Sequence, residues 1–221
     1  IEHKCVLETC EFCKSLGFEH ELIPVDKSGC VDIQWLKDNV DENTLFVSVM
    51  TVNNETGMRS NIEEINEICK KYDVIFHSDM AQALHGEKFD LAKSQIDAIS
   101  ISGHKIHGPK GVGALILNHE PREFLSPISH GGLQEQEIRS GTVPVFLTVG
   151  LSHALHLIQN EHEQNKKYLS DLRKTFINKI KELSPDIKIN YASNNGHPGT
   201  INLHFKNIDA DIIATRLAND V

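Results

Sequence analysis

A chain of 221 residues, 39% hydrophobic and 24% charged, can build one large globular domain with room for part of a second. Its formal net charge of −9 argues against a general nucleic-acid surface, and no apolar run approaches the ~18 residues that cross a bilayer. The five cysteines, Cys5, Cys10, Cys13, Cys30 and Cys69, are odd in number and irregularly spaced, which argues against a secreted disulfide framework.

Residues 6–16 carry the apolar spacing of a helix that ends at Gly17. The pair Cys10 and Cys13 lies inside it and has no second Cys/His pair at ligand spacing, so no metal site is expected. A short strand is expected over 22–25, and a helix begins within 31–36 after the turn Lys27-Ser28-Gly29. The run L-F-V-S-V-M, 45–50, reads as a buried strand. It leads into V-N-N-E-T-G, 52–57. Residues 62–72 form an amphipathic crossover helix, and 74–77 the next strand, which ends in S-D-M-A-Q-A, 78–83. Strands are also expected over 96–101 and 112–117. A polar, glycine-rich loop covers 126–142. Helices follow over 144–159 and 161–183, the second rich in Lys, Asp and Glu. Strands at 187–190 and 200–205 and a helix from 209 to 217 complete the chain.

Strand and helix alternate with short connections, which predicts an α/β fold: a mostly parallel sheet packed by helices, followed by the start of a smaller α+β unit. The division is expected at residue 160, with 1–160 the larger domain and 161–221 the connector helix and partial second domain. In such sheets ligands gather at the carboxyl ends of the strands, where Asn54, Asp79 and Lys105 all fall.

The chemistry centres on A-I-S-I-S-G-H-K-I-H-G-P-K-G-V-G, 98–113. Lys105 sits in a turn between two strand-like runs. A lysine held there and partly desolvated becomes a usable amine nucleophile toward a carbonyl. Ser102, His104 and free backbone amides around Gly103 suit a phosphate. A lysine beside a phosphate cradle points to pyridoxal phosphate. His153 and His156 stand one helical turn apart but lack a further ligand, so they are read as surface histidines. His77, His107, His130 and His197 lie near the motifs without an assigned role.

The motifs V-N-N-E-T-G, H-S-D-M-A-Q-A, S-G-H-K-I-H-G-P-K-G-V-G and R-S-G-T-V-P, in this order and spacing, resemble those of the group I (NifS/IscS-like) cysteine desulfurases. These are fold-type I pyridoxal-phosphate enzymes of the class V aminotransferase superfamily. The resemblance runs from E-H-K at the start to P-G-T-I-N-L near the end. It implies that Lys105 carries the cofactor as a Schiff base and that Asp79 lies under the pyridine nitrogen. It further implies that Gln82 and Asn54 face the phenolic oxygen and that His3 stacks on the ring. Ser102 and His104 would hold the phosphate. Thr142 would reach the phosphate of a neighbouring subunit, making the enzyme a homodimer, and Arg139 would brace the loop around it. The implied reaction turns L-cysteine into L-alanine and an enzyme persulfide, whose sulfur passes to an iron–sulfur scaffold or another acceptor, such as one for tRNA thiolation. The implied compartment is the bacterial cytoplasm or the mitochondrion. No metal, direct nucleic-acid contact, membrane association or secretion is expected.

Two departures stand out: His107 occupies a position where Tyr is common, and the loop reads G-G-L-Q-E-Q-E-I rather than carrying a third glycine. The resemblance also implies a nucleophilic cysteine on a downstream loop and an arginine beyond it, and none of the five cysteines aligns with that nucleophile. Both chain ends, at Ile1 and in A-T-R-L-A-N-D-V, therefore read as fragment boundaries, and these 221 residues are not expected to complete the reaction unaided. A selenocysteine lyase or other class V enzyme, and a non-catalytic dimerisation module on the same fold, are the rival readings.

Overall fold

The computed structural model describes residues 1–85, 90–118, 125–190 and 196–218, without the side chains of 91–92. Four strands form the main sheet: β1 (Phe46–Ser48), β2 (Ile75–Asp79), β3 (Ala98–Ser102) and β4 (Gly113–Leu117), in that spatial order. β1, β2 and β3 are parallel, and β4 runs antiparallel to β3. The predicted mostly parallel α/β sheet is therefore what forms.

The helices are α1 (Lys4–Ser15), α2 (Ile33–Asn39), α3 (Ile62–Lys71), α4 (Leu91–Ser94), α5 (Val145–Leu183) and α6 (Ala210–Leu217). α3 shows how the sequence writes an element. Asn61 caps it by accepting from the Glu64 amide at 3.4 Å. Glu63 and Glu64 sit in the first turn and Lys70 and Lys71 in the last, each matching the helix dipole. Ile65, Ile68 and Cys69 bury one stripe against the sheet. They meet Phe76 and Ile99, which point into the same core with Leu36, Met80 and Ile106. Each such side chain contributes about 1.5–3 kcal/mol on leaving water. A second sheet pairs β5 (Lys188–Asn190) antiparallel to β6 (Asn202–His204).

Two expectations change. The strand expected over 22–25 is reduced to one bridge between Val25 and Val31. Pro24 lacks an amide donor, and Asp26 turns the chain at once by accepting from the amides of Ser28 and Cys30. The two helices expected over 144–183 are one, α5, of 39 residues and about 58 Å. The change of composition near residue 160 marks greater exposure along one rod, since no Pro or Gly interrupts it there.

α5 is what presses on the lysine turn. Leu151 and Ala154 are its buried residues at that end. A Cβ on Gly150 would lie 2.5 Å from Pro109 Cγ, and one on Gly108 would lie 3.2 Å from Ala154 Cβ. The missing side chains thus set how closely helix and turn approach. Gly150→Ala improves helix propensity by about 1 kcal/mol but forces α5 off Pro109, an overpacking cost of about 1–3 kcal/mol. The expected net result is a lower melting temperature, and a raised one would show that the contact is loose.

Candidate active site

The site is assembled at the carboxyl ends of adjacent parallel strands. Asp79 is the last residue of β2 and pairs in register with Ser100 of β3. Two residues beyond Ser100, the strand ends and the chain enters a 3₁₀ turn, Gly103–Ile106, that carries Lys105. The strand register therefore puts the carboxylate and the amine at the same end of the sheet.

Asp79 is buried, and its Oδ1 accepts from the Ala81 amide at 2.8 Å. Ser102 Oγ and His104 Nδ1 lie 3.1 Å apart and pair with each other ahead of the lysine. Ile106, 1% exposed, plugs the turn into the core. His107 follows with φ of 61°, the left-handed conformation that ends the turn. Gly103 is obligatory: a Cβ there would come within 2.8 Å of the Val112 carbonyl oxygen and 3.0 Å of that of Pro109. Lys105 itself is exposed, not partly desolvated as the sequence suggested. The turn faces outward from the open end of the sheet, and Gly103 and Ile106 are its residues that leave water.

Asn54 and Gln82 occupy turns after β1 and β2, the first exposed and the second half-buried. The turn that carries Asn54 is built by its buried neighbour. Asn53 Oδ1 accepts from the amides of Glu55 and Thr56 and from the Thr56 hydroxyl, at 2.8–3.0 Å. The far side of that turn is closed by the second sheet's flank. The His197 amide donates to the Gly57 carbonyl at 2.7 Å, Asn202 Nδ2 donates to the Glu55 carbonyl at 3.1 Å, and a Cβ on Gly57 would meet Thr200 Cβ at 2.8 Å.

His3 is exposed at the N-cap of α1, where its Nδ1 accepts from the Cys5 amide at 3.2 Å. Its neighbour Glu2 ties that segment to the sheet, since the Met50 amide donates to Glu2 Oε1 at 2.5 Å. Thr142 lies in the exposed loop before α5. Arg139 braces this loop by donating from Nη1 to the carbonyls of Ser140 and Gly141. The described contacts do not join Thr142 to the Ser102–His104 turn of the same chain. His156, one of the surface histidines, pairs with Asn160 at 2.8 Å.

Three groups near the site had no role in the sequence reading. His77 bridges Ser48 Oγ at 2.9 Å and Ser100 Oγ at 2.8 Å. His85 Nε2 donates to the Lys105 carbonyl, and its ring meets His107 edge-on at 4.8 Å. Burial pushes the His85 imidazole below its usual value, with His107 adding to this and the Lys105 carbonyl opposing it. Glu2 is the third. Burial pushes its carboxyl from the usual 4.5 to about 7; the charge of Asp79 adds to this, while the Met50 amide, the amino group of Ile1 and the Ser48 hydroxyl oppose it. Strand alternation gave a sign of His77, which stands two residues before Asp79 on the same face. Nothing in the sequence signalled Glu2, whose burial comes entirely from packing.

A buried carboxylate, an exposed amine and a hydroxyl–imidazole pair around a glycine-tight turn fit the pyridine, aldehyde and phosphate of pyridoxal phosphate. Among the described residues no cluster of three or more His, Cys, Asp or Glu is placed to hold a metal, and no helix is long and apolar enough to cross a membrane.

The fold and this arrangement define a class V aminotransferase scaffold, and the family model of aminotransferase class-V matches residues 1–220. The chain belongs to that family. It is 42% identical over 216 residues to the cysteine desulfurase of Rattus norvegicus, covering 98% of this chain and 48% of that protein. It is 40% identical over 216 residues to a mitochondrial cysteine desulfurase of Drosophila melanogaster, again covering 98% of this chain and 47% of that protein. Among solved structures, a NifS-like protein superposes with a TM-score of 0.93 at 34% identity, covering 99% of this chain and 60% of that one. The chain thus spans about half the length of the curated relatives it matches.

The Glu2 carboxyl makes stability depend on pH. Unfolded it titrates near 4.5 and folded near 7, so its contribution is complete below about 4.5 and is lost as the pH rises toward 7. The loss is at most about 3 kcal/mol. Glu2→Gln, which cannot ionise, should flatten this part of the stability–pH curve in denaturant titrations at pH 5 and 7.5. Equal slopes for the two proteins would show that the carboxyl is solvated.

Proposed function

We propose that this chain is the central part of a pyridoxal-phosphate-dependent cysteine desulfurase. The reaction is L-cysteine to L-alanine, with the sulfur left as a persulfide on a cysteine of the enzyme. The observation that carries the reading is Asp79 at the end of β2 beside the Lys105 turn at the end of β3. It occurs in a chain 42% identical to a cysteine desulfurase over 98% of its length.

When bound, the cofactor supplies an aldehyde and an electron-poor ring that accepts the electron pair left at the substrate's α-carbon. The residues of this chain do the rest. Lys105 Nζ would hold the aldehyde and would move a proton at the substrate's α-carbon. Asp79 would keep a proton on the ring nitrogen through a charge-assisted hydrogen bond. Asn54 and Gln82 would offer amide donors to the phenolic oxygen. Ser102, His104 and the turn amides would hold the phosphate. His3 would relay protons to the substrate. None of the five cysteines of this chain is given the role of the cysteine that takes the sulfur.

The reading includes a homodimer in which Thr142 reaches the cofactor phosphate of the partner subunit. In its support, Ile128, Leu133, Val145, Phe146 and Val149 expose apolar surface on both sides of Thr142. The sulfur would pass to an iron–sulfur scaffold or another acceptor protein, in the bacterial cytoplasm or the mitochondrion. The larger domain would occupy 1–160, with 161–221 opening the smaller one.

The full-length protein mixed with pyridoxal phosphate should gain a visible absorption band that borohydride abolishes. It should form alanine and sulfide from L-cysteine with a thiol reductant. Lys105→Ala should lose band and activity together. A colourless protein that gains no band would overturn the reading. Thr142→Ala should release the cofactor more readily, with a dissociation constant raised roughly fivefold, the size of one lost hydrogen bond. Unchanged retention would remove the contact between subunits.

A further inference from the structure

A hydrogen-bonded bar crosses the sheet immediately beside Asp79. His77 stands two residues before Asp79 on β2, so both side chains project from one face. Its Nδ1 pairs with Ser48 Oγ of β1, and its Nε2 with Ser100 Oγ of β3. Ser100 is the register partner of Asp79 itself. Phe46 stacks on the imidazole at 5.9 Å. Glu2 reaches the same corner, anchored by the Met50 amide, and its Oε2 is buried with no hydrogen-bond partner.

We propose that His77, clamped by Ser48 and Ser100, together with the anchored carboxyl of Glu2, positions Asp79 against the ring nitrogen of the bound cofactor. This rests on the cofactor reading given above. Both ring nitrogens of His77 are engaged across two strands, so the imidazole cannot turn away without breaking both bonds. The Ala81 amide donates to Oδ1 of Asp79, so Oδ2 would be the oxygen to meet the ring.

Charge fits the same assignment. A neutral imidazole has one donor and one acceptor nitrogen, and two serine hydroxyls satisfy both. Burial holds His77 below its usual value, although Asp79 pulls it up, so it does not compete with the ring as a cation. Burial likewise disfavours a second carboxylate at Glu2. The titratable groups facing this corner are Asp79 on β2, Cys10 on α1 and the amino group of Ile1. His77 and Glu2 are positioning residues: they act through Asp79.

The test uses full-length protein loaded with pyridoxal phosphate. It reads the pH midpoint of the visible band, the cofactor dissociation constant by equilibrium dialysis, and the melting temperature of cofactor-free protein. His77→Ala should move the band midpoint by about half a pH unit or more. It should also weaken cofactor binding about tenfold, the size of a misaligned hydrogen bond to a charged group. Ser100→Ala should shift both in the same direction by less, and Glu2→Ala should move the midpoint where Glu2→Gln restores it. A purely structural role would lower the melting temperature and leave the midpoint in place. Folded His77→Ala and Ser100→Ala proteins with the parent's midpoint and affinity would overturn the proposal while leaving the cofactor reading intact. A parent protein with no band would overturn both. If His77→Ala does not fold, Ser48→Ala and Ser100→Ala decide the matter, each removing one end of the bar.

Discussion

The register between β2 and β3 is the constraint on which the site depends. Asp79 lies opposite Ser100, and β3 runs two residues further before the lysine turn begins. Because the strands are parallel, their carboxyl ends coincide, and groups distant in sequence are set side by side. A slip of one residue would turn Asp79 to the opposite face of the sheet and into the core. The core defends against that slip: Phe76, Ile99 and Ile101 are buried among Ile65, Ile68 and Cys69 of α3, and each would be displaced with it.

Around this register the molecule spends little on regular structure and much on turns. The lysine turn is defined by what Gly103 lacks, by the left-handed His107 and by Ile106 in the core. It is closed from outside by α5, whose Gly150 lets Pro109 approach. His85 supplies a donor to the Lys105 carbonyl, which would otherwise end a short helix unsatisfied. His107 meets this same imidazole edge-on. His107 thus falls against the imidazole that bonds the Lys105 carbonyl, and the Lys105 side chain stays exposed.

Much of this was legible beforehand, for identifiable reasons. The period-3.6 stripe of α3 and the alternating runs of β2 and β3 announce themselves because each has one buried face. The positions of Asp79 and Lys105 at strand ends, with Ser102 and His104 beside the lysine, were legible because strand ends and glycine turns leave marks in sequence. The single long α5 was not legible: exposure changes along it, and a change of exposure resembles a break. The strand at 22–25 failed because apolar residues without a partner strand make no ladder. Glu2 and the bridging role of His77 depend on distant neighbours, Met50, Ser48 and Ser100, which no local pattern discloses.

The turn after β1 is gripped from two directions, by the side chain of Asn53 within and by the backbone around 197–202 without. Asn54 has no say in where it points; its neighbours decide. The segment around 197–202 therefore serves as a splint for a loop about 145 residues earlier. Moving β6 away from that loop would loosen the turn at Asn54 while leaving the Lys105 turn, held by α5 and the core, in place.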